Sequence, residues 1–230
     1  MTSPVTHVLF DMDGTLLDTD NAYTEVNTEI CARYGKTFTW EVKSKMMGTT
    51  ERDAADIFCQ AFQLPLTIDE YIAERRRLLA DRFARSKPLP GVLRLVRHLK
   101  VCGVPICVAT SSHRKAFEIK ADGNGELFAL FDGHVVCGDD VGILKGKPAP
   151  DIFLAGARDI GFADTDYSKC LVFEDALVGA RAGIAAGAQV VLIPNENLKL
   201  DPAVVGKCVK ILKTMADFDP TEFGLPAFEQ

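Results

Sequence analysis

Again and again this chain makes a continuous apolar run of strand length, stops it on polar residues, and follows it with a helical pattern. The runs are THVLFD (6–11), VPICVAT (104–110), HVVCGD (134–139), KCLVFED (169–175) and AQVVLIP (188–194), with a shorter KCVKIL at 207–212. A strand apolar at every position is buried on both faces. The stretches between them, GVLRLVRHLKVCG, roughly Asp151 to Ile160, and the Ala/Gly-rich 176–187, read as helices. Alternating strands and helices of this kind predict a Rossmann-like α/β fold, a parallel sheet covered on both sides. Ligands of such sheets bind beyond the carboxyl ends of the strands.

Residues 20–86 break the pattern. They are charged, poor in β-branched runs and helical in period. ERDAADIFCQAF places Ala54, Ala55, Phe58 and Phe62 on one stripe, and EYIAERRRLLADRFAR does the same with Ile72, Leu78, Leu79 and Phe83. The Arg75–Arg77 run beside Glu70 and Glu74 reads as a solvated helix face. KPLPGV (87–92) then punctuates the return to the sheet. The expected organisation is an α/β core from 1–16 and 88–230, interrupted by a helical cap at 17–87.

The chain has 230 residues and 47% hydrophobic content, enough to bury a core without staples. Its seven cysteines show no CxxC and mostly sit in apolar stretches, which fits reduced, buried thiols in a cytoplasmic protein. A formal charge of −6 argues against nucleic acid as a partner. MTSPVTHVLF lacks a basic region before an apolar core, and no run reaches the ~20 residues of a membrane helix. Neither a leader nor a membrane association is expected.

The residues at the strand ends carry the chemistry. The first strand ends in Asp11-Met12-Asp13-Gly14-Thr15, the second in Thr110-Ser111-Ser112, the fourth in Glu174-Asp175, and Lys147 precedes Pro148 in the loop after the third. Singly, each has a bland reading: Asp13-Gly14 as a turn pair, Thr110, Ser112 or Asp175 as helix caps. Jointly, several acids on one sheet edge repel one another unless a cation sits among them. Mg²⁺ with carboxylate, carbonyl, water and phosphate ligands suits such an edge. Lys147 and Thr110 add donors for phosphate oxygens, completing the parts of a phosphoryl-transfer site. Of the two aspartates, one can serve as nucleophile and the other as acid and base, with Gly14 permitting the sharp turn after them.

DxDGT after a first strand, a later hydroxyl residue, a lysine in GKPAPD and an ED pair, in that order along nearly the whole chain, resemble the haloacid dehalogenase superfamily. PVTHVLFDMDGTLLDT, GKPAPDIFLA, KCLVFEDA, GAQVVLIP and the tail FGLPAFE look most like the subgroup containing pseudouridine-5′-phosphatase, with glycerol-3-phosphate phosphatases and β-phosphoglucomutase as similar relatives. The resemblance implies Asp11 as nucleophile and Asp13 as general acid/base. It implies Thr110, Ser111 and Lys147 on the phosphate, and Mg²⁺ on Asp11, Asp13 (through its carbonyl), Asp175 and Glu174. It further implies substrate selection by the cap, with Asp18, Asp20, Tyr23, Gly48, Thr49, Glu51 and Arg52 as candidates. The expected activity is hydrolysis of a small phosphorylated metabolite, pseudouridine 5′-phosphate foremost, by a monomer. A sugar phosphomutase, a glycerol-3-phosphate phosphatase or a phosphorylatable receiver-like module are the alternatives. Against the receiver, Asp13 would shorten the life of a signalling phospho-aspartate. The segment ADGNGELFALFDGH (121–134) reads as looser and richer in glycine than the family pattern.

Overall fold

A computed structural model describes residues 3–229. The apolar runs form strands β1 (His7–Phe10), β2 (Ile106–Thr110), β3 (Val135–Cys137), β4 (Cys170–Glu174), β5 (Gln189–Leu192) and β6 (Lys210–Ile211). All pair in parallel, in the order β3-β2-β1-β4-β5-β6. β1 therefore lies between β2 and β4, with Phe10 opposite both Val108 and Phe173. That register brings the residues after β1, β2 and β4 to one edge of the sheet.

Ten helices accompany the strands among the described residues: α1 (Asp20–Arg33), α2 (Trp40–Met46), α3 (Glu51–Phe62), α4 (Ile68–Phe83), α5 (Val92–Val101), α6 (Arg114–Asp122), α7 (Gly125–Ala129), α8 (Asp151–Asp159), α9 (Leu177–Ala185) and α10 (Pro202–Val205). Each face of the sheet has its own core. On one, Val8, Phe10, Val108 and Phe173 pack under α5, α7 and the C-terminal segment. On the other, Leu9, Cys107 and Val172 pack under α8 and α9. Burying a strand on both faces removes its whole apolar surface from water, at about 25 cal/mol per Å²; this is why the runs do not alternate.

Helices α1–α4 hold a third core of Val26, Ile30, Ala54, Ala55, Phe58, Phe62, Tyr71, Leu79 and Phe83. Thr50 caps α3 by accepting from the Asp53 amide, and Thr67 with Glu70 forms a capping box on α4. The chain leaves and re-enters the sheet side by side: the Asp18 amide donates to the Lys87 carbonyl (2.9 Å) and the Leu89 amide to the Leu16 carbonyl (3.0 Å).

Two expectations change. The buried face of α4 is Tyr71, Arg75, Leu79 and Phe83, spaced by four, while Ile72 and Leu78 lie half-buried beside it. Arg75 is thus buried, unlike the exposed Arg76 and Arg77. The segment 121–134 is also tighter than its glycines suggest. It closes α6 and forms α7, because buried Asn124 donates to the Ser86 and Lys120 carbonyls (3.0 and 2.9 Å), and Leu127, Phe128 and Phe131 enter the core. All seven cysteines are free; Cys31, Cys107, Cys137 and Cys170 are buried, whereas Cys102 is exposed. No helix among the described residues is long and apolar enough to cross a membrane.

Candidate active site

Asp11 sits one residue past β1, where its amide donates to the Phe173 carbonyl at 3.0 Å and continues the β1–β4 ladder. Its carboxylate is buried beside the Lys147 ammonium (2.5 Å). Lys147 also donates to Glu174 at 2.5 Å, and its side chain is wholly buried. Burial works against the charge of Lys147, but Asp11 and Glu174 outweigh it and raise its pKa.

Carboxylate oxygens of Asp11, Glu174 and Asp175 approach within 4.8 Å of one another. Burial pushes Asp11 up to about 7; Lys147 opposes the rise and Glu174 adds to it. Asp175 is pushed well above its ordinary value by burial, then by Glu174 and Asp11. One lysine does not compensate three buried acids. Asp175 Oδ1 is buried without a hydrogen-bond partner, a marked cost for a carboxylate. By contrast, both Glu174 oxygens are engaged, Oε1 by Lys147 and Oε2 by the Asp175 and Ala176 amides. An oxygen-rich, charge-deficient cluster of this kind fits a hard divalent cation. Asp175 carries the open ligand atom, and Glu174 is oriented by its own hydrogen bonds.

Asp13 faces a different set of partners. The Lys120 ammonium reaches both its oxygens, at 2.6 and 2.8 Å, and Ser112 Oγ donates to Oδ2 at 2.8 Å. Burial pushes Asp13 up, yet Lys120 and Ser112 more than offset it and its pKa falls. Gly14 follows with φ of +86°, and a Cβ there would run into the Asp175 carboxylate. The turn therefore needs glycine for both conformation and space.

Above this edge lies a cavity of about 390 Å³ between cap and core. Asp11, Asp13, Thr110, Ser111 and Asp175 form its floor, and Tyr23, Gly48, Thr49, Glu51 and Arg75 belong to the cap side. Ser111 Oγ donates to the Gly48 carbonyl across the seam (3.1 Å). Gly48 has φ of +72°, and a Cβ there would press on Ala176 and Val178 at 2.8 Å, so the cap loop closes only as glycine. Asp20 accepts from Lys43 (3.0 Å) and from Asn195 of the core (2.9 Å), a second tie across the seam.

Two cap candidates lie elsewhere. Arg52 is exposed and pairs with Asp69 at 3.0 Å, because the outer face of α3 carries it away from the cavity. Asp18 is exposed and borders a neighbouring recess with Glu196 and Lys213, which shares Asp20 and Asp175 with the cavity. Arg114, after the hydroxyl cluster, turns to Asp140 and the Val135 carbonyl.

Two residues were not legible as site members. Lys120 shares the buried face of α6 with Ala116, four residues earlier. A lysine at an apolar position of a helix is the signal that marks it. Arg75 carries the same signal on α4, and its Nε is buried without a partner.

The haloacid dehalogenase-like hydrolase family model matches residues 5–187. Over 227 residues the chain is 44% identical to (DL)-glycerol-3-phosphatase 2 of Arabidopsis thaliana, covering 98% of this chain and 93% of that protein. Over 225 residues it is 41% identical to a probable pseudouridine-5′-phosphatase of Drosophila melanogaster, covering 97% and 96%. Its fold matches the crystal structure of a family IA, variant 3 HAD hydrolase from Entamoeba histolytica, with a TM-score of 0.80 at 24% identity over 95% of this chain and 97% of that one. With its family motifs gathered at one sheet edge under a helical insertion, the chain belongs to the haloacid dehalogenase-like hydrolases.

Proposed function

We propose that this enzyme is a Mg²⁺-dependent phosphatase of a small phosphomonoester, with pseudouridine 5′-phosphate foremost, working through an aspartyl phosphate on Asp11. The observation that carries the reading is the buried Asp11 carboxylate, set between Lys147 and the Glu174/Asp175 pair and facing the cavity between cap and core. Asp11 attacks phosphorus, and the oxygen of the departing alcohol takes a proton from Asp13. Water then attacks the acyl phosphate and gives its proton back to Asp13. Lys147 and Thr110 hold phosphoryl oxygens throughout, with the Ser111 amide beside them. Asp11, Asp175 and the Asp13 carbonyl would hold Mg²⁺, with Glu174 in direct or water-bridged support; bound there, it would withdraw charge from the phosphoryl group.

The substrate reading rests on the shape of the cavity and on its walls. Its volume falls in the range of about 300–1,000 Å³ usual for small-molecule sites. Phe38, Met46, Leu79 and Phe83 give it apolar walls suited to a flat ring. Glycerol 3-phosphate would leave much of that surface facing water, although the glycerol-3-phosphatase likeness keeps it as the second reading. On the same reading the enzyme is a cytoplasmic monomer acting on a metabolite.

The test is phosphate release with Mg²⁺, with and without EDTA, from pseudouridine 5′-phosphate, uridine 5′-phosphate, glycerol 3-phosphate and β-glucose 1-phosphate. The expected result is EDTA-sensitive release with pseudouridine 5′-phosphate fastest. Preference for glycerol 3-phosphate moves the substrate to the second reading. Conversion of the glucose ester without phosphate release makes the enzyme a mutase.

A further inference from the structure

Lys120 lies outside the motifs that carry the family resemblance. Its side chain is wholly buried, and it reaches the sheet edge from α6 rather than from a strand end. Besides both Asp13 oxygens, its ammonium contacts Ser112 Oγ (2.9 Å) and the Tyr23 hydroxyl (3.3 Å). It also lies 4.2 Å from the centroid of the Phe83 ring. Asp13 and Ser112 belong to the core; Tyr23 and Phe83 belong to cap helices α1 and α4 and pack edge-to-face at 5.2 Å. The ammonium is thus enclosed jointly by core and cap.

Stability alone does not explain such a residue. A buried ion pair seldom outperforms an apolar replacement of similar volume, because desolvating both charges offsets their attraction. What the pair does supply is direction. Two hydrogen bonds from Lys120 and one from Ser112 fix the rotation of the Asp13 carboxylate, which borders the cavity beside Asp11. A proton-transfer group misplaced by an ångström loses much of its effect.

We propose that Lys120 is a positioning residue that aims Asp13 at the oxygen of the departing alcohol, and that its contact with Tyr23 makes this aim depend on cap closure. The inference rests on the reading of Asp13 as general acid. It gives the cap a part in proton transfer, in addition to enclosing the substrate.

The test compares an ester that needs a proton on its leaving oxygen with one that does not. The alkyl ester is whichever of pseudouridine 5′-phosphate and glycerol 3-phosphate turns over faster; the other is p-nitrophenyl phosphate. Because kcat/KM covers only the steps through alcohol release, the ratio of nitrophenyl to alkyl kcat/KM isolates leaving-group protonation. General acid catalysis contributes roughly a hundredfold or more, so Asp13→Asn raises the ratio about that much. Lys120→Met raises it at least about tenfold, Lys120→Arg restores part of the loss, and Tyr23→Phe gives a smaller rise in the same direction. A defect of folding alone lowers both substrates together and leaves the ratio unmoved. If Asp13→Asn shifts the ratio and Lys120→Met does not, the positioning role is wrong and the phosphatase reading stands. If Asp13→Asn does not shift it either, the acid role of Asp13 fails and takes this inference with it. Should Lys120→Met not fold, Lys120→Arg and Tyr23→Phe decide: wild-type ratios in both overturn the proposal.

Discussion

Asp11 and Asp13 stand two residues apart at the end of the same strand, each against its own buried lysine, yet their environments push them in opposite directions. Asp11 shares Lys147 with Glu174 and has Asp175 close by, so negative charge exceeds positive and burial carries its pKa up to about 7. Asp13 has Lys120 almost to itself, with Ser112 in support, and its pKa falls. Burial raises both carboxyls, and the balance of partners separates them: Asp11 shares its lysine with a second acid, whereas Asp13 has a lysine and a serine donating to it. On the Asp11 side one lysine faces three acids, whereas on the Asp13 side one lysine faces one, which agrees with a metal held by Asp11 and Asp175. The ionised Asp13 is the form that takes a proton from water; donating to a leaving group requires it to reload one.

The sharpest test of the contrast is Asp11→Asn. On the proposed mechanism it removes the nucleophile, so phosphate release should fall roughly 10⁴-fold or more with no phosphoenzyme formed, while circular dichroism stays native. Retained turnover in a clean preparation would move the nucleophile elsewhere.

The two lysines separate by how they respond to metal. Lys147→Met leaves the buried Asp11 and Glu174 carboxylates without their cation, a loss of about 3–5 kcal/mol in urea unfolding, and Lys120→Met costs less, because the partly exposed Asp13 carboxylate keeps its hydrogen bond from Ser112. Mg²⁺ at a hundredfold above its Kd adds about 2.7 kcal/mol to a protein that binds it only when folded. The gain should be larger than wild type in Lys147→Met, where the cation replaces the missing charge. It should equal wild type in Lys120→Met, because the Asp13 carboxylate is not among the acids gathered at Asp11. Equal gains in both variants would mean that the two aspartates share one electrostatic site.

The smallest expected effect concerns the cap. Arg52→Ala should change neither kcat/KM nor stability by more than about 0.5 kcal/mol, because its partner Asp69 is exposed. A clear loss of substrate affinity would place Arg52 in the cavity in some closed form.

Glu51, the neighbour of Arg52, tests the seam between cap and core. Burial raises its pKa, but His113 and Arg76 more than offset this and hold it down at about 2. A lowered carboxylate stabilises the fold in full above its ordinary pKa, and the benefit fades below it and is lost as pH falls through the lowered, folded-state pKa. The stability difference between wild type and Glu51→Gln should therefore be largest above about pH 5 and shrink toward pH 2. A difference independent of pH would assign the effect to packing.

Much of the molecule was legible in one dimension because the relevant physics is local. A continuous apolar run must be buried on both sides, and a polar stop at its end must face the sheet edge. THVLF followed by Asp11 and Asp13, ICVAT ending in Thr110, and CLVFE followed by Asp175 could be read this way without any knowledge of their neighbours. Lys147 was legible because its GKPAPD context was distinctive. Helix α3 was legible to the residue, since its stripe Ala54, Ala55, Phe58 and Phe62 has the helical period.

Partnership across the fold was not legible, because it depends on where distant segments pack. Lys120 meets Asp13 only when α6 lies against the sheet edge and the cap folds over it. Arg75 becomes a cavity residue through the rotation of α4, which an arginine run does not reveal. Arg52 leaves the cavity for the same reason, since one step along α3 turns a side chain by 100°. Strand positions, edge chemistry and helical stripes follow from periodicity and burial, which act between neighbours in sequence, whereas the strand order is set by pairing across the fold. Which buried cation meets which carboxylate, and which cap face looks inward, follow from tertiary packing, where residues 107 positions apart come within a hydrogen bond of each other.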